Sequence, residues 1–241
     1  MKKILVIAEC INVNSTSEGI CTTNFLNTIA ESPYLVDCVY YQFVQHEIST
    51  INWVSDKINL IKINNTPIDY LIQNNRKFRY LFSRVVGKSL IRERRSYRFK
   101  KFLKPLIIKN NYELIFVRTI ANSIASHKAV LELSKRMPLK WIAYFNDPPT
   151  SSMMPYPYNN GIDNFPKETF KSEILVRNII ESCFGISSPS VLLTKHILDI
   201  SGVKKGENRI FNFPHVYIPI SINYNKTLLD RTKLNIVHTG T

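Results

Sequence analysis

The sequence predicts an α/β fold: a doubly wound, mostly parallel Rossmann-like sheet. Three observations predict it. Short runs of consecutive apolar residues, such as 4–8 and 141–145, read as strands buried on both faces. Segments with helical apolar spacing separate those runs. The opening strand, loop, helix and second strand make one right-handed crossover unit.

Taken in order, Ile4-Leu5-Val6-Ile7-Ala8 is the first strand. The polar loop ECINVNSTSEG follows, with Gly19 where the backbone must turn tightly. A helix through Phe25, Leu26 and Ile29 comes next, its free N-terminal N–H groups suited to an anion or sugar hydroxyls. Residues 36–43 form the second strand. The Asn-rich region 44–75 is harder to read, although Ile58, Leu60, Ile61 and Ile63 fit a short strand. Two helical stripes follow, Phe78-Leu81-Phe82-Val85 and Phe99-Phe102-Leu103-Leu106, with Gly87 as the break between them. Residues 113–118 are a buried strand and 121–137 a helix stopped by Pro138.

The stretch 140–190 organises the rest. Its strand WIAYF ends at Asn146-Asp147-Pro148-Pro149, because two prolines cannot feed a sheet ladder. An 18-residue loop, 148–165, leads to Pro166, a good first helical residue, and to a helix carrying Leu175, Ile179 and Ile180. Strand 184–187, helix 191–200 ending at Ser201-Gly202, and a short strand within 209–214 complete the pattern. A polar pair at the end of a buried strand, before a long loop, is where an open α/β sheet places its ligand.

Composition narrows the classes. With 44% hydrophobic residues in 241, the chain can bury a full core. Five apolar residues after Met1-Lys2-Lys3 are too few for a signal peptide, and no run spans a membrane, so a cytoplasmic location is expected. Cys10, Cys21, Cys38 and Cys183 share no ligand-like spacing, and the five histidines are scattered; no metal site is expected. None of the seven glycines forms a G-x-G, P-loop or G-x-S-x-G signature, so nucleotide binding through a glycine-rich loop is not expected.

Charge is the unusual property. The net charge is +14, and 13 basic residues against Glu93 alone lie between Arg76 and Lys109, leaving the remainder nearly neutral. Three readings stand for this segment: a solvated face, a surface docking on anionic lipid, or a nucleic-acid surface. The absence of any nucleic-acid-binding motif weighs against the last. Arg94, Arg95, Arg98 and Lys101, adjacent at helical spacing, are the first choice for a membrane-contacting face.

Several segments together resemble the N-terminal domain of a GT-B glycosyltransferase of the retaining family 4 type. They are KKILVIAE with its polar loop and Gly19, the strand ending in Asn146-Asp147 where many relatives have His-Asp, the step ending FGISSPS, and RIFNFPHVYIPI followed by LNIVHTGT. The resemblance implies that residues 1–220 are the acceptor-side Rossmann-like domain, with the basic helical segment 76–109 inside it. Residues 221–233 would be the interdomain linker and 234–241 the first strand of a donor domain cut short. It implies transfer of a sugar from a nucleotide-sugar, bound by the missing C-terminal domain, to a lipid-linked or glycan acceptor. Bacterial polysaccharide biosynthesis, no metal, and a cytoplasmic protein attached peripherally to the inner membrane face also follow from it. The fragment alone would be inactive.

The same resemblance places Asp147 and Asn146 in the catalytic role, Glu18, Gly19 and Ile20 against the acceptor, and Gly240 and Thr241 against the donor phosphates. Each has a bland alternative: Asp147 as a turn residue before Pro148, Glu18 as a first-turn acid near a helix N-terminus. Asn146 can orient a hydroxyl but cannot carry a proton near neutral pH. A different class remains open, a non-catalytic basic Rossmann-like module that docks on anionic membrane or nucleic acid.

Overall fold

The computed structural model describes residues 2–14, 16–41, 51–120, 123–154 and 165–215. Residues 216–220, the expected linker 221–233, the expected strand 234–241, and with them Gly240 and Thr241, lie outside the described residues, as does most of the loop after Pro148.

Seven strands form one sheet: β1 (Lys3–Ala8), β2 (Leu35–Tyr41), β3 (Ile58–Ile63), β4 (Leu114–Arg118), β5 (Trp141–Tyr144), β6 (Gly185–Ser188) and β7 (Ile210–Asn212). The order is β3-β2-β1-β4-β5-β6-β7, and every pairing is parallel. The helices are α1 (Ser17–Ile29), α2 (Pro67–Asn74), α3 (Arg76–Val86), α4 (Leu90–Asn110), α5 (Ala125–Ser134), α6 (Pro166–Ser182) and α7 (Val191–Ser201).

The apolar runs do what continuous apolarity dictates. Leu5 and Ile7 of β1 enter one core with Phe99 and Leu103 of α4, Val130 of α5 and Ile179 of α6. Ile4, Val6 and Ala8 enter the opposite core with Leu26 of α1, Cys38 and Phe116. Alternate residues of one strand thus serve two cores, and helices cover both faces of the sheet, which is what doubly wound means physically. The expected fold class holds.

Local signals set the helix ends. Gly87 closes α3 in the left-handed region at φ 63°, the break expected from the sequence. Gly19 works differently from the tight turn expected of it. It lies in the first turn of α1, and a Cβ there would stand 2.1 Å from the Asn12 carbonyl oxygen, so it is needed for close approach of the preceding loop. The helix expected over 121–137 is shorter, Ala125–Ser134, after a bridge between Ile120 and Ser123.

The Asn-rich region contains α2. Pro67 opens it, and Asp69 reaches back to accept from the Thr66 backbone N–H at 2.7 Å. The stripe Phe99-Leu103-Ile107 buries α4 against the sheet. The stripe on α3 does not follow suit: Phe78, Leu81 and Val85 face solvent, and that helix buries Ser83 instead.

Candidate functional site

In this strand order the connections leave β1 and β4 toward opposite faces, so a crevice opens beyond the C-terminal ends of these two strands. Glu9 follows β1, Arg118 and Thr119 end β4, Asn146 and Asp147 follow β5, and His215 follows β7. The first turn of α1 brings Glu18 to the same edge.

The loop between β1 and α1 is tightly held. Thr16 caps α1 by accepting from the Gly19 N–H at 2.9 Å. The Ile11 carbonyl accepts from Thr23 Oγ1 at 3.1 Å and from Trp53 Nε1 at 2.9 Å. Gly19 is buried against Asn12 and offers no free surface, while Ile20 beside it is exposed. Glu9 is buried too. Its carboxylate accepts from the Ser126 N–H and Ser126 Oγ, both at 2.9 Å, and from Ser123 Oγ at 2.5 Å. A carboxylate on the first N–H groups of α5 is a helix cap, which accounts for this acid.

Arg118 supplies a buried positive charge. Its guanidinium lies 4.0 Å over the Tyr144 ring and 4.8 Å over the Phe25 ring, and Nε donates to Thr22 Oγ1 at 3.3 Å. Burial pulls its pKa down, opposed by Tyr144. The two rings compensate part of the lost hydration through cation–π attraction.

Asp147, Glu18 and His215 meet as an electrostatic group. Burial first, and then the charge of Glu18, raise the Asp147 pKa, while His215 opposes the rise. Burial and then Arg118 lower the His215 pKa, against the pull of Asp147 and Glu18, so the imidazole is neutral near pH 7. Burial also raises the Cys21 thiol, with Arg118 opposing. The three side chains are electrostatic neighbours and not a ligand set: among the described residues no group of three or more His, Cys, Asp or Glu is arranged to hold a metal ion.

Asn146 is almost fully buried. Its backbone N–H donates to Thr119 Oγ1 at 3.1 Å and its Nδ2 to the Thr119 carbonyl at 3.5 Å, which leaves Oδ1 buried with no partner among the described residues. The crevice can therefore offer a half-buried carboxyl with a raised pKa, a neutral imidazole and an unsatisfied amide oxygen. All three suit a hydroxyl-bearing ligand. From the sequence His215 reads as a structural histidine after Pro214, and its place within RIFNFPHVYIPI, past the last strand, is the signal that could have set it beside Asp147.

The four basic candidates lie elsewhere. Arg94, Arg98 and Lys101 line a groove of about 740 Å³ between β3 and α4, with Tyr97 and Phe102. Arg94 and Arg98 are committed to Asp69 and only 21% and 16% exposed, and Arg95 runs inward over the Tyr41 ring. Of the expected contacting face only Lys101 is exposed. The arginines turn inward because α2 brings a buried carboxylate beside them, a pairing across 25 residues that helical spacing alone does not reveal.

No protein-family model matches this sequence, and no curated protein does. Solved structures resemble it. Apo UGT2 of Phytolacca americana aligns with a TM-score of 0.51 at 10% identity, over 90% of this chain and 53% of that one. A glycosyltransferase from Rickettsia africae ESF-5 aligns at 0.45 and 13% identity, over 88% and 43%. A putative UDP-N-acetylglucosamine 2-epimerase from Listeria monocytogenes aligns at 0.45 and 8%, over 88% and 44%. The chain spans about half the length of these structures. At such identities the likeness is one of fold, the Rossmann-like α/β fold of GT-B glycosyltransferase structures.

Proposed function

We propose that this chain is the acceptor side of a glycosyltransferase that moves a sugar from a nucleotide-sugar to an acceptor hydroxyl held at the crevice. What carries the reading is the placement of Asp147 after β5, Glu18 in the first turn of α1 and His215 after β7, within electrostatic reach of one another, so that burial and then Glu18 raise the Asp147 pKa. A raised carboxyl pKa brings Asp147 nearer the working range of a proton acceptor. The buried Oδ1 of Asn146 is then where an acceptor hydroxyl donates, with Glu18 in the first turn of α1 as the charged neighbour on the acceptor side. Arg118 adds a fixed positive potential behind the site, of the sign that favours a departing diphosphate.

The order of the motifs supports the retaining family 4 type, with a lipid-linked or glycan acceptor of bacterial surface polysaccharide, and without a metal. The fold likeness to UGT2 and its coverage support the 241 residues as one half of such an enzyme. The donor would then be held by a second domain, and the 241 residues alone are expected to give no turnover. The test is transfer from a panel of nucleotide-sugars to polyprenyl-linked and soluble glycan acceptors, comparing the enzyme with its Asp147→Asn form. Loss of transfer in a folded variant supports the reading. Wild-type rates in that variant, or turnover by the 241 residues alone, would overturn it.

A further inference from the structure

The structure separates the 13 cations of the basic segment into two sets. Arg94 and Arg98 are taken up by Asp69, Lys100 by Glu132, and Arg92 donates to Ser172 Oγ at 2.6 Å. The single acid of the segment, Glu93, is paired with Lys128. What remains exposed and without a carboxylate partner among the described residues includes Lys77 and Arg84, both on α3. That helix has the sequence RKFRYLFSRVV and contains no acid.

The apolar residues of α3 are also on its outside. Phe78, Leu81 and Val85 are 51%, 57% and 68% exposed. At 3.6 residues per turn they fall within about 60° of one another, with Lys77 and Arg84 side by side along one edge of the stripe. The buried side of the same helix is the opposite one, at Ser83, with the half-buried Arg79 beside it. The helix before it, α2, leaves Ile68 and Leu71 exposed as well. An amphipathic helix normally turns its apolar stripe to the core; here the stripe faces out and is bordered by cations. Exposed apolar surface beside one sign of charge marks a docking surface.

We infer that α3 docks this protein on an anionic lipid bilayer, with Phe78, Leu81 and Val85 entering the headgroup boundary and Lys77 and Arg84 engaging lipid phosphates. The charge complementarity fixes the occupant. A stripe of three aliphatic and aromatic side chains gains from hydrocarbon and not from a polyanion in water, whereas the cations require a negative surface. The inference stands independently of the sugar-transfer reading, because it needs no turnover.

The experiment is flotation of the 241-residue chain with unilamellar vesicles of phosphatidylcholine alone or with about 30% phosphatidylglycerol, at roughly 0.1 M and 0.5 M NaCl. Binding is expected to the anionic vesicles only, and to weaken at the higher salt as screening shortens from about 10 Å. Replacing Lys77 and Arg84 by Gln is expected to weaken binding roughly 25-fold, given two surface cations each contributing about fivefold. The pair Leu81→Ser and Val85→Ser is expected to reduce binding at least tenfold with the charge unchanged. All of these side chains are exposed, so circular dichroism and Tm should remain those of the parent. Lys101→Gln with Lys104→Gln is the control on α4 and should bind as the parent does. Binding that ignores lipid charge, survives both α3 pairs, or is lost in the α4 control overturns the inference. Preferential binding to single-stranded RNA, unaffected by the Leu81 and Val85 changes, overturns it as well.

Discussion

Arg94 Nε stands 2.7 Å from Asp69 Oδ1, and one turn later on the same helix Arg98 Nη1 stands 2.8 Å from Asp69 Oδ2. The carboxylate is 6% exposed and also accepts from Thr66 Oγ1 at 2.6 Å, so one acid fastens α2 to α4. Burial raises its pKa, but the hydrogen bonds from Thr66 and Arg94 outweigh burial and the net shift is downward. Its contribution to stability is therefore present above the ordinary carboxylate pKa and lost as pH falls through the lowered one. Asp69→Ala is expected to destabilise the fold by about 3 kcal/mol, because two guanidinium groups lose their partner. Urea unfolding at pH 7 measures it, and a loss below about 1 kcal/mol would show that solvent already screens the pair.

His127 supplies a second acid-sensitive group. It is fully buried on α5, stacked on Phe145 at 4.9 Å between ring centroids, and burial lowers its pKa to about 3, with the Tyr144 backbone opposing. A lowered pKa means stability present above the unfolded value near 6.5 and lost as pH falls from there to about 3, at up to about 1.4 kcal/mol per pH unit. His127→Phe keeps a ring against Phe145 and removes the proton site. Its stability should fall less steeply with acid than the parent's, and identical slopes would exclude His127 as the cause.

The Gly19 site tests how firmly the β1–α1 loop is fixed. A methyl added at Gly19 would stand 2.1 Å from the Asn12 carbonyl oxygen, so Gly19→Ala forces backbone apart rather than a flexible side chain. A loss of about 2–3 kcal/mol is expected, in the range of overpacked sites. A Tm within a degree of the parent's would mean that the loop yields freely.

For the proposed transfer, Asp147→Asn should lower kcat more than tenfold while the Tm stays within a few degrees. The pH profile adds a sign. Activity should rise with pH as Asp147 ionises, with the limb above the ordinary aspartate pKa because of burial and Glu18. Glu18→Gln removes one raising charge and should move that limb to lower pH. A limb that stays in place under Glu18→Gln assigns it to another group.

The strands were legible because burial on both faces leaves no polar residue to interrupt the run, as in ILVIA and WIAYF. The end of β5 was legible for a different reason: two prolines after Asn146-Asp147 cannot continue a strand. The helix α2 was obscured by Asn-rich surroundings, although Thr66-Pro-Ile-Asp69 carries a capping signal. Relationships set by distant packing were not legible. Asp69 selects which arginines are spent internally, and the outward stripe on α3 reads as an ordinary buried one until the neighbouring helices are placed. His215 joins Asp147 only through the pairing of β7 with β6.

The parallel order of the strands has a consequence for the birth of the molecule on the ribosome. β1, β2 and β3 all lie within the first 63 residues and can pair early, but the other edge of β1 receives β4 through Ile4 and Leu114. From Ile63, where β3 ends, to Leu114 is roughly 3 to 10 s of synthesis at ordinary elongation rates. Throughout that interval the nascent three-stranded sheet presents the open, apolar edge of its most buried strand, a template for mispairing with neighbouring chains. Slowing translation between β3 and β4 should therefore lower the soluble yield, and a chaperone that shields strand edges should restore it.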